Sequence, residues 1–397
     1  MTAGTLAVVA IDGGDLPLGG GLLALVRPAL GLLGPGGRLA ILSSDPALQE
    51  DLAAWCRVEH HDYLGFEPME GGGRCRHQIS RGPLGLPHPF GPGAPERADP
   101  STGFAPLGSR VEPGGPAYPF TLLERDRVMP PEVKELYEQA TSSQWNAARD
   151  IPWTGVRPLP EVLERALGQI MTFLAENELS ALYVPSNFLP RIHPAYAETA
   201  MFLATQLNDE ARHIEVFLRR ARSGGGSLGV SAVTTSQSLL SLLELTDFSE
   251  ASFLLSVLGE GTFLDLLKYV ERFAPDAPTA ILVQKARADE TRHVHFGMAH
   301  VRHALQRDPA LYGRLEAAVR RRAASMSQAG GVPSPIADAL TILAAGGSDP
   351  RAVRRGHDAF RELLETMHDN RVRRLESAGF SPEQAKTLSD LHTPNFM

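Results

Sequence analysis

The sequence predicts an α+β protein of two domains, a small N-terminal α/β sandwich followed by a mainly α-helical bundle. Three observations carry this. Residues 5–82 alternate short β-like runs with helical ones, and residues 82–119 are crowded with Pro and Gly. From Pro131 onward, apolar residues recur at helical spacing almost to the end of the chain. The 397 residues suffice for two or three domains, at roughly 150 residues each. With 43% hydrophobic and 21% charged residues the chain can bury a sizeable core, which excludes global disorder.

In order, residues 6–11 read as a strand and 20–33 as an amphipathic helix. A second strand follows at 38–42, then a helix at 45–56 with Ser44 or Asp45 as its N-cap. Residues 60–66 and 73–80 read as a closing pair of strands around the turn Glu70-Gly71-Gly72-Gly73. The domain at 1–82 is thus a β-α-β-α-β-β sandwich. Gly82-Pro83, Gly91-Pro92-Gly93 and Pro113-Gly114-Gly115-Pro116 make 83–130 a linker or surface loop, because they can propagate neither helix nor ladder. Helices are expected at 131–149, 159–189, 194–222, 236–273 and 276–306, a bundle over 131–306. A C-terminal helical extension over 307–397 holds further helices at 309–328, 334–346 and 350–378.

Composition narrows the partners and the metal chemistry. Against 46 Asp and Glu stand 38 Lys and Arg, and the net charge of −8 without a long basic run argues against phosphate-gripping nucleic-acid binding. Two cysteines, Cys56 and Cys75, cannot supply a four-Cys iron–sulfur cluster, a zinc ribbon or a multi-bridge secreted framework. Any iron must be held by carboxylates and by some of the 13 His. The start lacks a basic n-region, and the longest apolar stretch, 19–34, is broken by Arg27, Pro28 and several Gly. No membrane association and a reducing, cytoplasmic location are therefore expected.

Two segments repeat one pattern, Asp209-Glu210-Ala211-Arg212-His213 and Asp289-Glu290-Thr291-Arg292-His293. In each, Glu and His are i and i+3, so on a helix both project from one face. Leu203, Leu207, Ile214 and Phe217 share the Glu210 face, while Val283, Ala286, Val294 and Gly297 share that of Glu290. A Glu buried on such a stripe costs several kcal/mol unless it is paired or binds metal.

A bundle site for two metals needs one further Glu from each of two other helices. Upstream of the first motif stand Glu176 and Glu178. Glu178 shares its face with Met171, Leu174, Ala175, Ala181 and Leu182, whereas Glu176 shares its own with Gln169, Thr172, Ser180 and Tyr183, so Glu178 is taken. Upstream of the second, Glu260 lies among Phe253, Val257, Phe263, Leu264 and Leu267 and is the sole carboxylate in 251–264. Glu178 precedes Glu210 by 32 residues and Glu260 precedes Glu290 by 30, gaps that fit helix hairpins. The expected metal ligands are Glu178, Glu210, His213, Glu260, Glu290 and His293.

On these residues the sequence resembles the ferritin-like di-iron carboxylate superfamily, over about 131–306. It is similar above all to the oxygen-activating members: multicomponent monooxygenase hydroxylases, the ribonucleotide reductase small subunit and arylamine N-oxygenases. Gly259-Glu260-Gly261-Thr262-Phe263 is similar to the Gly-Glu-x-x-Phe segment of monooxygenase hydroxylases. Gln144–Trp153 resembles the segment before the first ligand helix of several oxygenases, its two Trp packing the bundle. The resemblance implies that Asp209 orients His293 and Asp289 orients His213, a hydrogen bond that makes each imidazole a better ligand. It implies two Fe ions, with Mn also suited to hard carboxylates and imidazoles, and O2 as co-substrate.

Three positions depart from these relatives. Phe217 stands where the reductase subunit would carry its radical Tyr, Leu264 where monooxygenases place a Thr, and Ala286 where N-oxygenases add a third His. Thr262 is two residues from the Thr position and reaches it only through a distortion of the helix. His295, His300 and His303 follow the second motif, and His300 shares the face of His293.

Residues 5–82 resemble the TusA-like sulfur-carrier fold, through Ile11-Asp12, Ser44-Asp45-Pro46 and Trp55-Cys56-Arg57. That family's reactive Cys would fall at about Leu18, and Cys56 sits at a helix end that gives a thiolate no support. The domain reads as a module for docking, dimerisation or covering the metal entrance. The whole chain reads as an O2-dependent di-iron oxygenase or oxidase that hydroxylates or N-oxygenates a small organic substrate. Its electrons come from a separate ferredoxin or reductase, since no flavin or iron–sulfur motif is visible. The alternatives are a ferritin- or rubrerythrin-like iron handler or peroxide scavenger, and a tRNA-modifying di-iron hydroxylase, for which the basic 351–374 region speaks.

Overall fold

Alternating apolar residues at Val9–Gly14 (β1), Arg38–Ser43 (β2), Asp62–Pro68 (β3) and Cys75–Ser80 (β4) build one four-stranded sheet in the order β1-β2-β4-β3. β1 runs parallel to β2, and β4 is antiparallel to both β2 and β3. A computed structural model describes residues 9–82, 93–109, 111, 114–326 and 332–392. The first residues of the expected strand at 6–11, and much of the Gly-Pro stretch at 83–92, lie outside these. The chain divides into two units, 1–95 with 99–118, and 96–98 with 119–397.

In the first unit, α1 (Leu22–Gly31) and α2 (Leu48–Val58) place Leu22, Val26, Leu30, Leu48 and Leu52 against Leu39, Ile41 and Ile79 of the sheet. The i, i+4 spacing of the helical residues produces this face. α1 starts later than expected, after a 3-10 turn at Leu18–Gly20 and Gly21 at φ 123°, a conformation open to glycine. The expected cap of α2 is displaced as well. Ala47 is the N-cap, and Asp45 instead accepts from the Ala47 N–H at 3.0 Å in a local turn. Cys56 is buried in this core, where burial, with Asp62 adding to it, pushes its thiol up to about 12.

In the second unit, α3 (Val133–Ser142) ends well before the expected limit at 149. The Asn146 Oδ1 atom accepts from the Ala148 and Arg149 N–H groups, both at 3.0 Å, which offers the backbone an alternative to the helix. α4 (Glu161–Ser186) and α5 (Ala197–Ala221) then pack against each other as a helix hairpin. The single helix expected over 236–273 is broken into α6 (Val233–Leu243), α7 (Phe248–Ser252), a π-helical segment Phe253–Glu260 and α8 (Gly261–Arg272). Asp247 causes the restart, because its carboxylate accepts from the Glu250 N–H at 2.9 Å.

α9 (Ala277–Arg307) packs on the π segment, on α8 and on α5. Gly297 permits that approach, since a Cβ there would lie 2.6 Å from the Ser256 Cβ. α10 (Leu311–Met326), α11 (Ser334–Ala345) and α12 (Pro350–Ser377) follow, with α11 against α4 and α12 against α8. A further helix, α13 (Pro382–Leu391), was not expected and starts at a capping box of Ser381 and Gln384. Arg220, fully buried, ties the bundle together: it reaches Glu164 at 2.8 Å, Asp276 at 2.9 Å and the Thr279 hydroxyl at 2.6 Å. Among the described residues no helix is long and apolar enough to cross a membrane.

Candidate metal centre

α4 contributes Glu178, α5 contributes Glu210 and His213, the end of the π segment Glu260, and α9 Glu290 and His293. All six side chains are at most 2% exposed. One ligand atom from each of Glu178, Glu210, His213 and Glu290 lies within 4.8 Å of the others, and the same holds for Glu210, Glu260, Glu290 and His293. Glu210 and Glu290 are thus common to two four-ligand sets, each completed by one Glu and one His. The imidazoles turn Nδ1 inward. His213 Nδ1 stands 3.2 Å from Glu210, 3.3 Å from Glu290 and 3.5 Å from Glu178; His293 Nδ1 stands 3.0 Å from Glu210 and 3.3 Å from Glu290.

The outward ring nitrogens meet the aspartates of the opposite motif, Nε2 of His213 on Asp289 at 3.1 Å and Nε2 of His293 on Asp209 at 3.3 Å. Arg212 and Arg292 each bridge both aspartates, Arg212 reaching Asp289 at 2.9 Å and Arg292 reaching Asp209 at 3.2 Å. This collar carries residues that the sequence reading did not assign to the site. Trp145 donates its indole N–H to Asp289 at 2.7 Å beneath the Arg212 guanidinium, and Gln144 donates to Asp209 at 3.1 Å. Gln206, 1% exposed, donates to Glu260 Oε1 at 3.1 Å, and Ser256 bonds the same carboxylate. Resemblance marked the Gln144–Trp153 segment only as packing, and helical spacing could have marked Gln206, one turn before Glu210.

Burial works against charge throughout. At Glu178 burial, reinforced by Glu290 and Glu210, pushes the carboxyl well above the usual carboxylate range, and at Glu260 burial with Glu290 does the same. At Glu210 burial is outweighed by His293 and His213, which hold the carboxyl low. Both imidazoles are likewise buried, yet are raised well above the usual His range. Asp289 and Glu178 lead for His213, Glu210 and Glu290 for His293.

The other residues singled out in the sequence lie elsewhere. Glu176 is half-buried, bonded to Ser231, and belongs to neither ligand set. His300 pairs with the Ser249 hydroxyl at 3.0 Å, His303 with Asp126 at 3.0 Å, and His295 is exposed. Phe217 packs 6.3 Å from the His213 ring. Thr262 donates to the Leu258 carbonyl at 2.7 Å and accepts from Arg371 at 3.4 Å, and it belongs to neither ligand set.

The residues fit a pair of cations. Glu178 Oε1, Glu210 Oε1, Glu260 Oε2 and Glu290 Oε1 are buried without a hydrogen bond. Four carboxylates crowded out of water are tolerated when metal ions neutralise them. Two inward ExxH helices with one Glu from each of two others make the ligand pattern of ferritin-like di-iron and di-manganese bundles. Hard oxygen and imidazole donors, without thiolate, suit Fe and Mn.

No protein-family model and no curated protein matches the chain. Among solved structures it is similar to a point variant of an R2-like ligand-binding oxidase with an aerobically reconstituted Mn/Fe cofactor. The identity is 18% and the TM-score 0.49, over 63% of this chain and 94% of that one. Another variant of that oxidase, with an Fe/Fe cofactor, gives 18% and 0.48 over 63% and 93%. A protein from Synechococcus with aldehyde deformylating oxidase activity gives 18% and 0.44 over 58% and 96%.

Proposed function

We propose that the protein is an oxidoreductase of the di-iron carboxylate type, taking two Fe ions or an Mn/Fe pair and using O2 to oxidise a small organic substrate. The observation that supports this most is the doubled, buried four-ligand set sharing Glu210 and Glu290. When bound, the metals would supply the redox chemistry with O2. The chain's own residues would do the rest. Glu178, Glu210, Glu260, Glu290, His213 and His293 would hold the ions. Asp209 and Asp289 would fix the imidazoles with Nδ1 inward, and Arg212 and Arg292 would balance the aspartates. The full burial of the six ligands excludes bulk water. We read hydroxylation or N-oxygenation as the reaction and a separate ferredoxin or reductase as the electron donor.

The first unit we read as a TusA-like module without sulfur chemistry. Leu18 stands where that family's thiol would be, and the buried Cys56 is held as a neutral thiol. We assign it a docking role.

Loading with Fe(II) without oxygen, metal counting, and then rapid mixing with O2, with and without amine or aromatic compounds, tests the reading. About two metals per chain and O2 consumption that an organic compound accelerates are expected. Fewer than about one metal per chain would overturn it. A second reading, an iron or peroxide handler, is favoured by the small size of the cavity beside Glu260. Metal loading with O2 consumption that no organic compound alters would decide for it.

A further inference from the structure

A polar cleft of about 320 Å³ lies in the second unit. Three stretches of chain form it: the 3-10 turn Arg125–Arg127 with Glu124 before it, the start of α7, and the junction of α9 with α10. Clefts that take small molecules measure roughly 300–1,000 Å³, so the size suits one. None of the lining residues belongs to either ligand set, and Arg307 lies about four helical turns beyond His293 on α9.

Four carboxylates and three guanidiniums line the cleft, and their pairing shows which are spare. Arg127 meets Glu124 at 2.9 Å and Arg314 meets Asp308 at 2.9 Å, both close ion pairs. Asp126 is taken by His303 at 3.0 Å, while Arg307 stands 3.6 Å from the same carboxylate, beyond hydrogen-bond reach. The Arg307 side chain is 54% exposed and keeps its N–H donors for another partner. On the α7 wall, Asp247 spends Oδ1 on the Glu250 N–H at 2.9 Å and, among the described residues, meets no Lys or Arg. Beside it the buried Ser249 hydroxyl pairs with His300 at 3.0 Å and still offers a lone pair. Ala304 and Leu311 supply the apolar part of the wall.

The cleft thus holds one spare anion and one spare cation on different elements, Asp247 on the approach to α7 and Arg307 at the end of α9. A cation or an anion alone would satisfy one and leave the other, whereas a molecule carrying both charges satisfies both. We propose that the cleft is a recognition site for a small zwitterion with one ammonium and one carboxylate, the ammonium on Asp247 and Ser249 and the carboxylate on Arg307. The planar fork of a guanidinium suits a carboxylate held by two bonds, and an ammonium brings three donors to Asp247 and Ser249. No metal ligand takes part, so this recognition stands or falls apart from the oxidase reading.

Calorimetric titration of the full chain with L-leucine, whose two charges are adjacent, and with ε-aminocaproate, whose charges lie at opposite ends, covers both spacings. Caproate and hexylamine carry one charge each. At least one zwitterion should bind roughly tenfold or more tightly than caproate and hexylamine, because each charge adds a charge-assisted contact. Asp247→Asn, which keeps the cap of α7, should bring that zwitterion to the affinity of caproate. Arg307→Gln should bring it to the affinity of hexylamine. The four titrations of the wild type decide the chemistry even if a variant does not fold. Absence of zwitterion binding, or a singly charged compound bound as tightly, would overturn the site. Wild-type affinity in either variant would overturn the residues assigned to it.

Discussion

Replacing Glu178 by Gln should make the metal-free protein more stable and the loaded protein less so. Glu178 is 2% exposed, its Oε1 atom accepts no hydrogen bond, and Glu290 and Glu210 crowd it. Without metal the chain must keep either a buried charge or a proton on a carboxyl pushed well above its usual range. A neutral amide of the same shape removes that choice, which should be worth on the order of 1–3 kcal/mol, the cost of a buried unsatisfied polar group. At ~2–4 °C per kcal/mol for a domain of this size class, the melting temperature of the metal-free protein should rise by about 2–12 °C. With metal the sign reverses. A ligand at a hundredfold excess over its dissociation constant adds about 2.7 kcal/mol, and the variant would forfeit this for the ion that Glu178 and His213 are proposed to hold. Calorimetric melting with and without Fe(II), alongside metal counting, reads both effects. A Glu176→Gln control should leave the metal count at that of the wild type. A Glu178→Gln protein that keeps the wild-type metal count, or melts lower when metal-free, would refute the assignment.

Asp289→Asn removes the charge that holds His213 and should weaken metal binding by ~10–100-fold, measured by competition with a chelator; unchanged affinity would deny Asp289 that role. Arg220→Ala strands the carboxylates of Glu164 and Asp276 and should cost about 3–5 kcal/mol in urea unfolding, a loss under 1 kcal/mol counting against a buried ion cluster. His300 is held neutral by burial, its pKa lowered from 6.5 to about 4 despite Asp247. The unfolded chain therefore binds the extra proton, so stability is full above pH 6.5 and is lost as the pH falls toward 4, by about 3 kcal/mol at 1.36 kcal/mol per pH unit. His300→Leu should flatten that part of the stability–pH curve, and a variant as acid-sensitive as the wild type would disprove it. Gly297→Ala would press a methyl on Ser256 and should lower occupancy of the Glu260–His293 set before the other, seen by metal counting at limiting Fe(II).

The inward residues other than Glu260 were legible because each lies on an apolar helix face whose period needs only neighbours within two turns. Glu178 and Glu176 show the reach of that logic: two positions apart on one helix, one is buried in the cluster and the other half-exposed. The succession of strands and helices in the first unit was legible for the same reason, since alternation and the glycine turn at 70–73 are local, whereas the sheet order β1-β2-β4-β3 was not read. Where a side chain took over a backbone task, the reading failed. Asn146 stops α3, Asp247 restarts the chain at α7, and Ser381 with Gln384 begins α13, all by capping bonds that hydrophobic period does not register.

The collar around the ligands was illegible for a different reason. Trp145 meets Asp289 across 144 residues and Gln144 meets Asp209 across 65, so no spacing rule connects them. Their segment stood out only as two Trp fit for packing, yet the indole N–H of Trp145 is spent on a carboxylate that already serves His213 and Arg212. The π segment had no period to betray it either. From Ala251 to Phe263 every residue is buried, so the face of Glu260 could not be told from its apolar neighbours. What singled Glu260 out was chemistry: a lone acid in a wholly buried run needs a counter-charge. The same physics explains why the small cavity sits beside it. Gln206 and Ser256 turn to Glu260, and Ser252 is the one other polar side chain on the apolar walls that α4, α5, α7 and the π segment set around that space.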